Sequence, residues 1–397
     1  MIKSDSPKGD TISAEEDQIT VRKFPKGSKF GVREFDIILY SLGVVPYSII
    51  REFESLPLRI AVSLHNSTEP DHSGYISTSQ PLPAHCFQGK PLGDEKADLP
   101  TMLQTIECPL SQIQNITSKA SLMINLSADS LVTVKTIIEA CIATSTNYAD
   151  CCTNIEVIKQ IFACYGRDTS IKVIQGCAHI PFLIDLGVFS LGKIHEVKEV
   201  EATVVCSREC STFGHAILAY ESNTFNSLRY NYETQAYEIL LHDPTDFILT
   251  KSRHYFRKKG ISHARSSAYV SIRYIFVFLI YFFIVSMFSH FTITKKYISL
   301  YKKARAGVGS NVSSSIAKII FSGNATKHDK HVKMTITASK QKNDISAICL
   351  SQIAATLIED TVVSETGVLT PAIALHETRI IERLAYKHIK FQYFYSE

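Results

Sequence analysis

The chain carries little excess charge, and this limits the kinds of partner it can bind. Its 397 residues include 42 lysines and arginines against 38 aspartates and glutamates, a formal charge of +4. The basic residues do not alternate with aromatic ones along a stretch that could follow a groove, so the composition disfavours nucleic-acid binding. The main basic run, Lys251 to Arg265, leads into a very apolar segment and points instead to a membrane surface.

The chain also lacks an apolar leader and the paired ligand spacing of a metal site. Its ten cysteines are scattered, and neither Cys151-Cys152 nor Cys206-x3-Cys210 has the spacing of a zinc site. The stretch Lys3 to Glu16 is polar and has no apolar core of a signal peptide. We therefore expect an intracellular protein with reduced, mostly buried thiols and no metal.

The stretch from Asn125 to Asp150 indicates the fold. An apolar run ends at Asn125, Asp129 or Ser130 can cap a following helix, and Thr146 to Ala149 read as the next strand. Between them, apolar residues recur at the spacing of one helical face, namely Leu131, Val134, Ile137, Ile138, Cys141 and Ile142. Strand, helix and strand in this order make a βαβ unit, which requires a parallel sheet.

The unit repeats at once. Thr153 and Glu156 have the spacing of a capping box, another apolar stripe runs to Tyr165, and Lys172 to Gln175 supply the next strand. The predicted fold class is therefore α/β, a Rossmann-like doubly wound parallel sheet followed by a second α+β domain. A ligand of such a sheet binds at the carboxyl ends of its strands.

Composition predicts three parts. Residues 1–31 are polar and should form a disordered extension, residues 32–190 the Rossmann-like domain, and residues 191–397 the second domain. The second domain carries an apolar segment, 274–293, and a C-terminal helix around Leu384 that packs back on the first domain.

Further predictions concern single elements. Pro181 to Leu191 reads as a short helix and Ser313 to Phe321 with His331 to Ala338 as a hairpin, whereas Ser222 to Thr250 receives no assignment. The polar stretch from His65 to Leu99 is longer than a compact connection needs, so part of it should be mobile.

The run Tyr274 to Phe288 is the most apolar in the chain. It contains no charged residue, and Arg273, Lys295 and Lys296 flank it. Its length lies between that of a buried helix and that of a span across about 30 Å of hydrocarbon. Seven aromatic residues all round one helix and basic flanks favour attachment to a membrane or lipid surface over a helix in a soluble core.

Together these blocks resemble a known family. Asn125 to Asp150, Asp185 to Val188, the apolar segment and Gly367 to Pro371 follow the order seen in the saccharopine dehydrogenase-like oxidoreductases. The resemblance implies an NAD(P)-binding-type Rossmann domain with a G-A-T-G-F-T-G phosphate loop and a mixed second domain associated with membranes and lipid droplets. It also implies NAD(P) as cofactor and a role in lipid or glycolipid metabolism.

The glycines that such a phosphate loop needs are missing. A dinucleotide loop uses glycine for its tight turn, for contact with pyrophosphate and for close helix packing. Aligned on the strand Asp36 to Tyr40, these positions hold Ser41, Val44 and Tyr47, with Gly43 one place away.

The family's other ligand-facing turns differ here in the same way. Leu64-His65-Asn66 stands in place of Gly-Arg-Ser, and Ala128-Asp129 in place of Gly-Pro. Cys152 to Ile155 replaces Ser-Gly-Glu-Pro, and Ala178 to Leu183 replaces Gly-Phe-Asp-Ser-Ile-Pro. The apolar faces between these turns keep their pattern. This is the pattern expected of a protein that has lost its ligand but kept its fold.

Our leading hypothesis is a pseudoenzyme, held on a membrane or lipid droplet by Tyr274 to Phe288 and without catalytic residues. Its degenerate cofactor-binding positions are Ser41, Gly43, His65 and Ser127.

Two alternatives remain open. In an active NAD(P)-dependent oxidoreductase, Gly43 would form the turn, Ser41 and Ser127 would bind phosphate or ribose, and His65 or His179 would transfer a proton. Each histidine is more readily a surface or packing residue. The other alternative is a Rossmann-like domain whose crevice holds a lipid against replacements such as Val44, Tyr47, Ile180 and Phe182.

Overall fold

A computed structural model of the chain describes most of the residues expected to fold. These are residues 33–42, 47–65, 104–127, 130–166, 169–206, 216–217, 219–220, 223–241, 244–272, 274–288, 316–325, 331–338, 345–360, 362 and 365–395. The predicted extension 1–31, the polar stretch 66–99 and Gly43 lie outside them.

Seven parallel strands form the first sheet within the described residues. They are β1 Phe35–Leu42, β2 Ile60–His65, β3 Gln104–Glu107, β4 Ala120–Asn125, β5 Asn147–Asp150, β6 Lys172–Ile174 and β13 Gly367–Leu369. Their order is β13-β6-β5-β4-β1-β2-β3. Six of them follow the order of a doubly wound dinucleotide-binding sheet, which confirms the predicted Rossmann-like α/β class.

Helices cover both faces of this sheet. The connections contain α1 Tyr47–Glu54, α2 Ile113–Thr117, α3 Leu131–Thr144 and α4 Ile155–Tyr165. Successive side chains of a strand point to opposite faces, so Ile37 and Leu39 of β1 enter one core and Ile38 and Tyr40 the other.

The helix starts differ from the predicted caps. Asn154, not Thr153, caps α4, since its Oδ1 accepts a hydrogen bond from Glu156 N at 3.1 Å. Ser130 occupies the cap position of α3 without a side-chain cap bond, and Asp129 lies outside the described residues.

A long helix, α5 His179–His195, leads from the first sheet to the second. It extends beyond the predicted Pro181 to Leu191 at both ends. A Cβ on Gly187 would lie 2.4 Å from the ring of Phe321, so the glycine lets α5 lie directly on the second sheet.

The second sheet is mixed. Its described strands are β7 Val197–Cys206, β8 Arg229–Asn231, β9 Ala236–Leu240, β10 Arg265–Ile272, β11 Ile316–Ala325, β12 His331–Ala338 and β14 Ile389–Tyr395. They follow the order β14-β12-β11-β7-β10-β9-β8. The antiparallel pairing of β11 with β12 confirms the predicted hairpin.

Five further α-helices of the described residues follow α5 in the chain. They are α6 Thr245–Lys258, α7 Ile275–Phe288, α8 Ile345–Glu359, α9 Pro371–Leu375 and α10 Ile380–Tyr386. Gly367 to Pro371, which reads as a turn in the sequence, instead supplies β13 and the first residue of α9. The end of the chain also meets the first unit, where Lys387 Nζ lies 3.2 Å from Glu52 of α1.

Among the described residues, helix α7 packs on the protein by one side. Phe278 and Val285 are buried, and the Phe278 and Phe282 rings stack with Phe225. Phe276 on the opposite side is 78 % exposed. No helix in the described part of the chain is long and apolar enough to cross a bilayer.

Candidate functional site

The candidate site is the carboxyl edge of the first sheet, where strand order reverses between β1 and β4. Ligands of open α/β sheets bind at this point because the helices following the two strands leave in opposite directions. The polar residues described there, which we name the crevice residues, are Ser41, Asn125, Ser127, Asp150 and Gln175.

Asn125, the last residue of β4, fixes the turn that follows it. Its Oδ1 accepts a hydrogen bond from Ser127 N at 3.0 Å, and its Nδ2 donates to the Tyr148 hydroxyl at 3.0 Å. Leu126 N donates to Tyr40 O across the sheet. The side chain of Asn125 is fully buried, so both of its polar ends are used inside the protein.

Ser41 and Ser127 meet across the reversal point. Their Oγ atoms lie 3.4 Å apart, and Ser41 is 4 % exposed. The contact joins the end of β1 to the turn after β4, where the adjoining parts of a bound dinucleotide would have to pass.

Asp150 is the centre of the crevice. Its Oδ2 accepts hydrogen bonds from the Tyr148 hydroxyl at 3.0 Å and from Gln175 Nε2 at 2.6 Å. Its Oδ1 accepts from Cys152 N at 3.1 Å and from Gly176 N at 3.5 Å. Complete burial raises the pKa of this carboxyl to about 6, although these hydrogen bonds favour the charged form.

The turn after β6 is filled from the second unit. Gly176 has φ +81°, and a Cβ there would lie 2.3 Å from Ile248 Cδ1 of α6. Gln175 is fully buried beside it, and its Oε1 is the network atom that has no hydrogen-bond partner among the described residues.

The structure describes the side chains of two of the four predicted cofactor-binding residues. The structure brings Ser41 and Ser127 together, but each is engaged by the protein. His65 ends β2 opposite Leu42 and His179 begins α5, and both histidine side chains, like the whole of Gly43, lie outside the described residues.

Sequence reasoning missed the buried network around Asp150. One signal was available, since Asn125 and Asp150 each end an apolar strand of the repeated βαβ unit. The partners Tyr148 and Gln175 depend on strand register, which the local pattern does not contain.

The described crevice residues include no glycine and no cation for a pyrophosphate. The first glycine position of the loop holds Ser41, whose side chain is buried against Ser127. None of the crevice residues is a cation, and one is a carboxylate, whereas phosphate sites rely on backbone N–H groups and positive charge. Apart from Gln175 Oε1, the crevice residues hydrogen-bond to one another or to neighbouring protein groups.

The seven cysteines described form no disulfide with one another, and five of them are buried. Within the same residues no group of three or more histidine, cysteine, aspartate or glutamate side chains could hold a metal ion.

The strand order, the crevice and the second mixed sheet define a dehydrogenase-type fold. The predicted resemblance is confirmed at this level by yeast saccharopine dehydrogenase (L-Glu forming) from Saccharomyces cerevisiae. Its structure superposes with a TM-score of 0.50 at 9% identity, covering 91% of this chain and 100% of that one. At this identity the likeness shows the fold alone.

Two other solved structures are more distant. A dehydrogenase from Clostridium difficile has a TM-score of 0.35 at 8% identity, with 89% of this chain and 98% of that chain covered. A probable dehydrogenase from Thermotoga maritima has a TM-score of 0.37 at 9% identity, with 82% and 88% covered. No protein-family description and no curated protein matches the sequence.

Proposed function

We propose that this chain is a non-catalytic protein with a dehydrogenase fold, held on an intracellular membrane or lipid-droplet surface by α7. The observation that carries the proposal is the engagement of the crevice residues with one another. Hydride transfer is the chemistry of the nicotinamide cofactor, so a chain that cannot hold NAD(P) cannot perform it.

The crevice supports the first half of the proposal. An active dehydrogenase needs an open path for pyrophosphate at the strand reversal, and here Ser41 and Ser127 meet at that path. Bringing a phosphate near the Asp150 carboxylate would add repulsion between like charges in a buried site. Both features act against the cofactor that the fold implies.

Helix α7 supports the second half. Phe276, Ile280 and Phe283 are 78%, 59% and 62% exposed, so one side of the helix offers large apolar side chains to the surroundings. Continuous exposed apolar surface on a folded protein marks an interaction site. The basic residues Arg273, Lys295 and Lys296 at both ends of the apolar run suit anionic lipid headgroups.

The test of the first half is a titration of the purified full chain with NADPH and then NADH, followed by calorimetry. The chain has 18 tyrosines and no tryptophan, so energy transfer from tyrosine to the nicotinamide gives a second readout. We expect no saturable binding up to millimolar cofactor from protein whose circular dichroism shows it to be folded.

Saturable binding in the micromolar range would overturn the proposal. It would favour the alternative, an NAD(P)-dependent oxidoreductase of lipid or glycolipid metabolism, and Gly43 would be the first residue to substitute. Flotation with lipid vesicles tests the second half independently.

A further inference from the structure

A second concave site lies far from the crevice. It is a cleft of about 720 Å³ between the C-terminal half of α6, the turn before β10 and the turn between α5 and β7. Helix α5 begins at the first sheet and ends at this cleft, and its 17 residues span about 25 Å. We name it the basic cleft.

The charges of the basic cleft are unbalanced. Four cationic side chains face two carboxylates, and these six lining residues are Lys198, Arg253, Arg257, Arg265, Glu196 and Glu199. Arg253 and Arg257 are four residues apart and share one face of α6. Arg265 approaches Glu199 only at 4.0 Å, with both side chains well exposed, a geometry that contributes little energy.

Three of the cations in the basic cleft have no ion-pair partner among the described residues. Among the described residues, no carboxylate lies within ion-pair distance of Arg253, Arg257 or Lys198. Arg253 Nε is moreover buried without a hydrogen-bond partner in the same residues. Four cations against two carboxylates give the cleft a net charge of +2, which favours an anion.

His263 supplies a second unpartnered group. It lines the cleft, is 8% exposed, and stacks on Phe256 with ring centroids 5.2 Å apart. Its Nδ1 lies 3.0 Å from Ala264 O, which assigns the proton to Nδ1 and leaves Nε2 as an acceptor. Nε2 is buried and has no partner in the described structure. Burial lowers the pKa of His263 to about 4, so the ring is neutral and adds no charge to the cleft.

We propose that the basic cleft binds a phosphomonoester. A dianionic phosphate balances the net charge of +2, which a single carboxylate does not. The planar guanidinium groups of Arg253 and Arg257 offer paired donors that match phosphate oxygens. The phosphate belongs either to a soluble metabolite or to a lipid headgroup, and the two sources share this chemistry.

The test uses the full chain and one matched pair of variants. Arg257→Gln removes a charge that lines the cleft, whereas Lys258→Gln removes a charge from the next residue of α6, which is exposed and outside the cleft. One arm measures glycerol 3-phosphate binding by calorimetry, with glycerol as the uncharged probe. The other compares phosphatidylcholine vesicles containing phosphatidic acid with vesicles of equal charge containing phosphatidylserine.

We expect Arg257→Gln to weaken phosphate binding about tenfold, because the variant loses a charge-assisted hydrogen bond to the phosphate. Lys258→Gln should leave it within a factor of two. If Arg257→Gln loses only glycerol 3-phosphate binding, the ligand is a soluble phosphoester. If it loses only the preference for phosphatidic acid over phosphatidylserine vesicles, the ligand is a lipid headgroup. Equal effects of the two variants, or no binding in either arm, would overturn the proposal without bearing on cofactor binding or α7.

Discussion

Asp185 lies where three helices meet. On α5, it is fully buried, and its Oδ2 accepts a hydrogen bond from Ala372 N of α9 at 2.8 Å. The hydroxyls of Ser252 from α6 and Thr370 lie beside it and hydrogen-bond to each other. Burial raises the pKa of this carboxyl to about 6, because the charged form loses its hydration.

We predict that Asp185→Asn makes the protein more stable above pH 6. The carboxyl has a pKa near 3.9 when unfolded, so the folded state holds the proton more tightly and wild-type stability falls as pH rises from about 4 to 6. A shift of about two units corresponds to about 3 kcal/mol. The amide keeps an acceptor for Ala372 N and does not ionise.

Urea unfolding at pH 4, 5, 6 and 8 provides the measurement. The free energy of unfolding of the variant should fall less steeply with rising pH than that of the wild type. We expect the remaining decline to come from Asp150, whose pKa is also raised to about 6. Asp246→Asn, at an exposed position in the first turn of α6, is the control and should follow the wild type. Parallel curves for Asp185→Asn and the wild type would contradict the prediction.

At the residue scale, the sequence predicts the location of the site better than its contents. The strand predicted at Asp36 to Tyr40 places Ser41 at the carboxyl edge of the first sheet, and β1 indeed ends there, at Leu42. The pattern does not reveal that Ser41 and Ser127 contact each other, as they do in the structure. Side chains on different strands become neighbours only through register, and no local spacing records that.

Helix α7 shows what the pattern of an element can and cannot predict. An uncharged apolar run predicts a helix, and the structure has one from Ile275 to Phe288. Because nearly every position is apolar, the sequence does not indicate which side packs on the protein. The structure supplies this asymmetry, with Phe278 and Val285 buried and Phe276 exposed.

We predict that replacing the outward side chains of α7 abolishes vesicle binding. The triple variant Phe276→Ser, Ile280→Ser and Phe283→Ser removes three exposed apolar groups. Each contributes about 1 kcal/mol if it enters the lipid interface half-buried, so the partition coefficient should fall on the order of 100-fold. Flotation on a density gradient with vesicles containing anionic lipid measures it.

The matched control changes three apolar side chains that are equally exposed elsewhere. Val132, Tyr232 and Tyr386 are 72%, 86% and 84% exposed, and their triple replacement by serine should leave flotation unchanged. If both triple variants float like the wild type, α7 is not the lipid contact.

The βαβ repeats predict strands β4, β5 and β6 of the first sheet but neither β3 nor β13. Strand β13 pairs with β6 through Val368 and Val173, which lie far apart in sequence, so no local pattern predicts the pairing. Helix α8 packs on α1, and one hydrophobic core includes residues of both sheets. The two sheets therefore share an interior that the division at residue 190 would cut.

We predict that residues 32–190 do not fold cooperatively alone. Ile49 and Phe53 of α1 are fully buried, and α8, which packs on this helix, is missing from the fragment. Exposing the two side chains costs about 3–6 kcal/mol, a large part of the 5–15 kcal/mol that stabilises a domain. Thermal unfolding followed by circular dichroism should show a broad, weak transition, whereas the chain lacking only residues 1–31 should melt like the full protein. A sharp transition of the fragment near the temperature of the full chain would show that the first sheet stands without α8 and β13, and that the shared core contributes little to its stability.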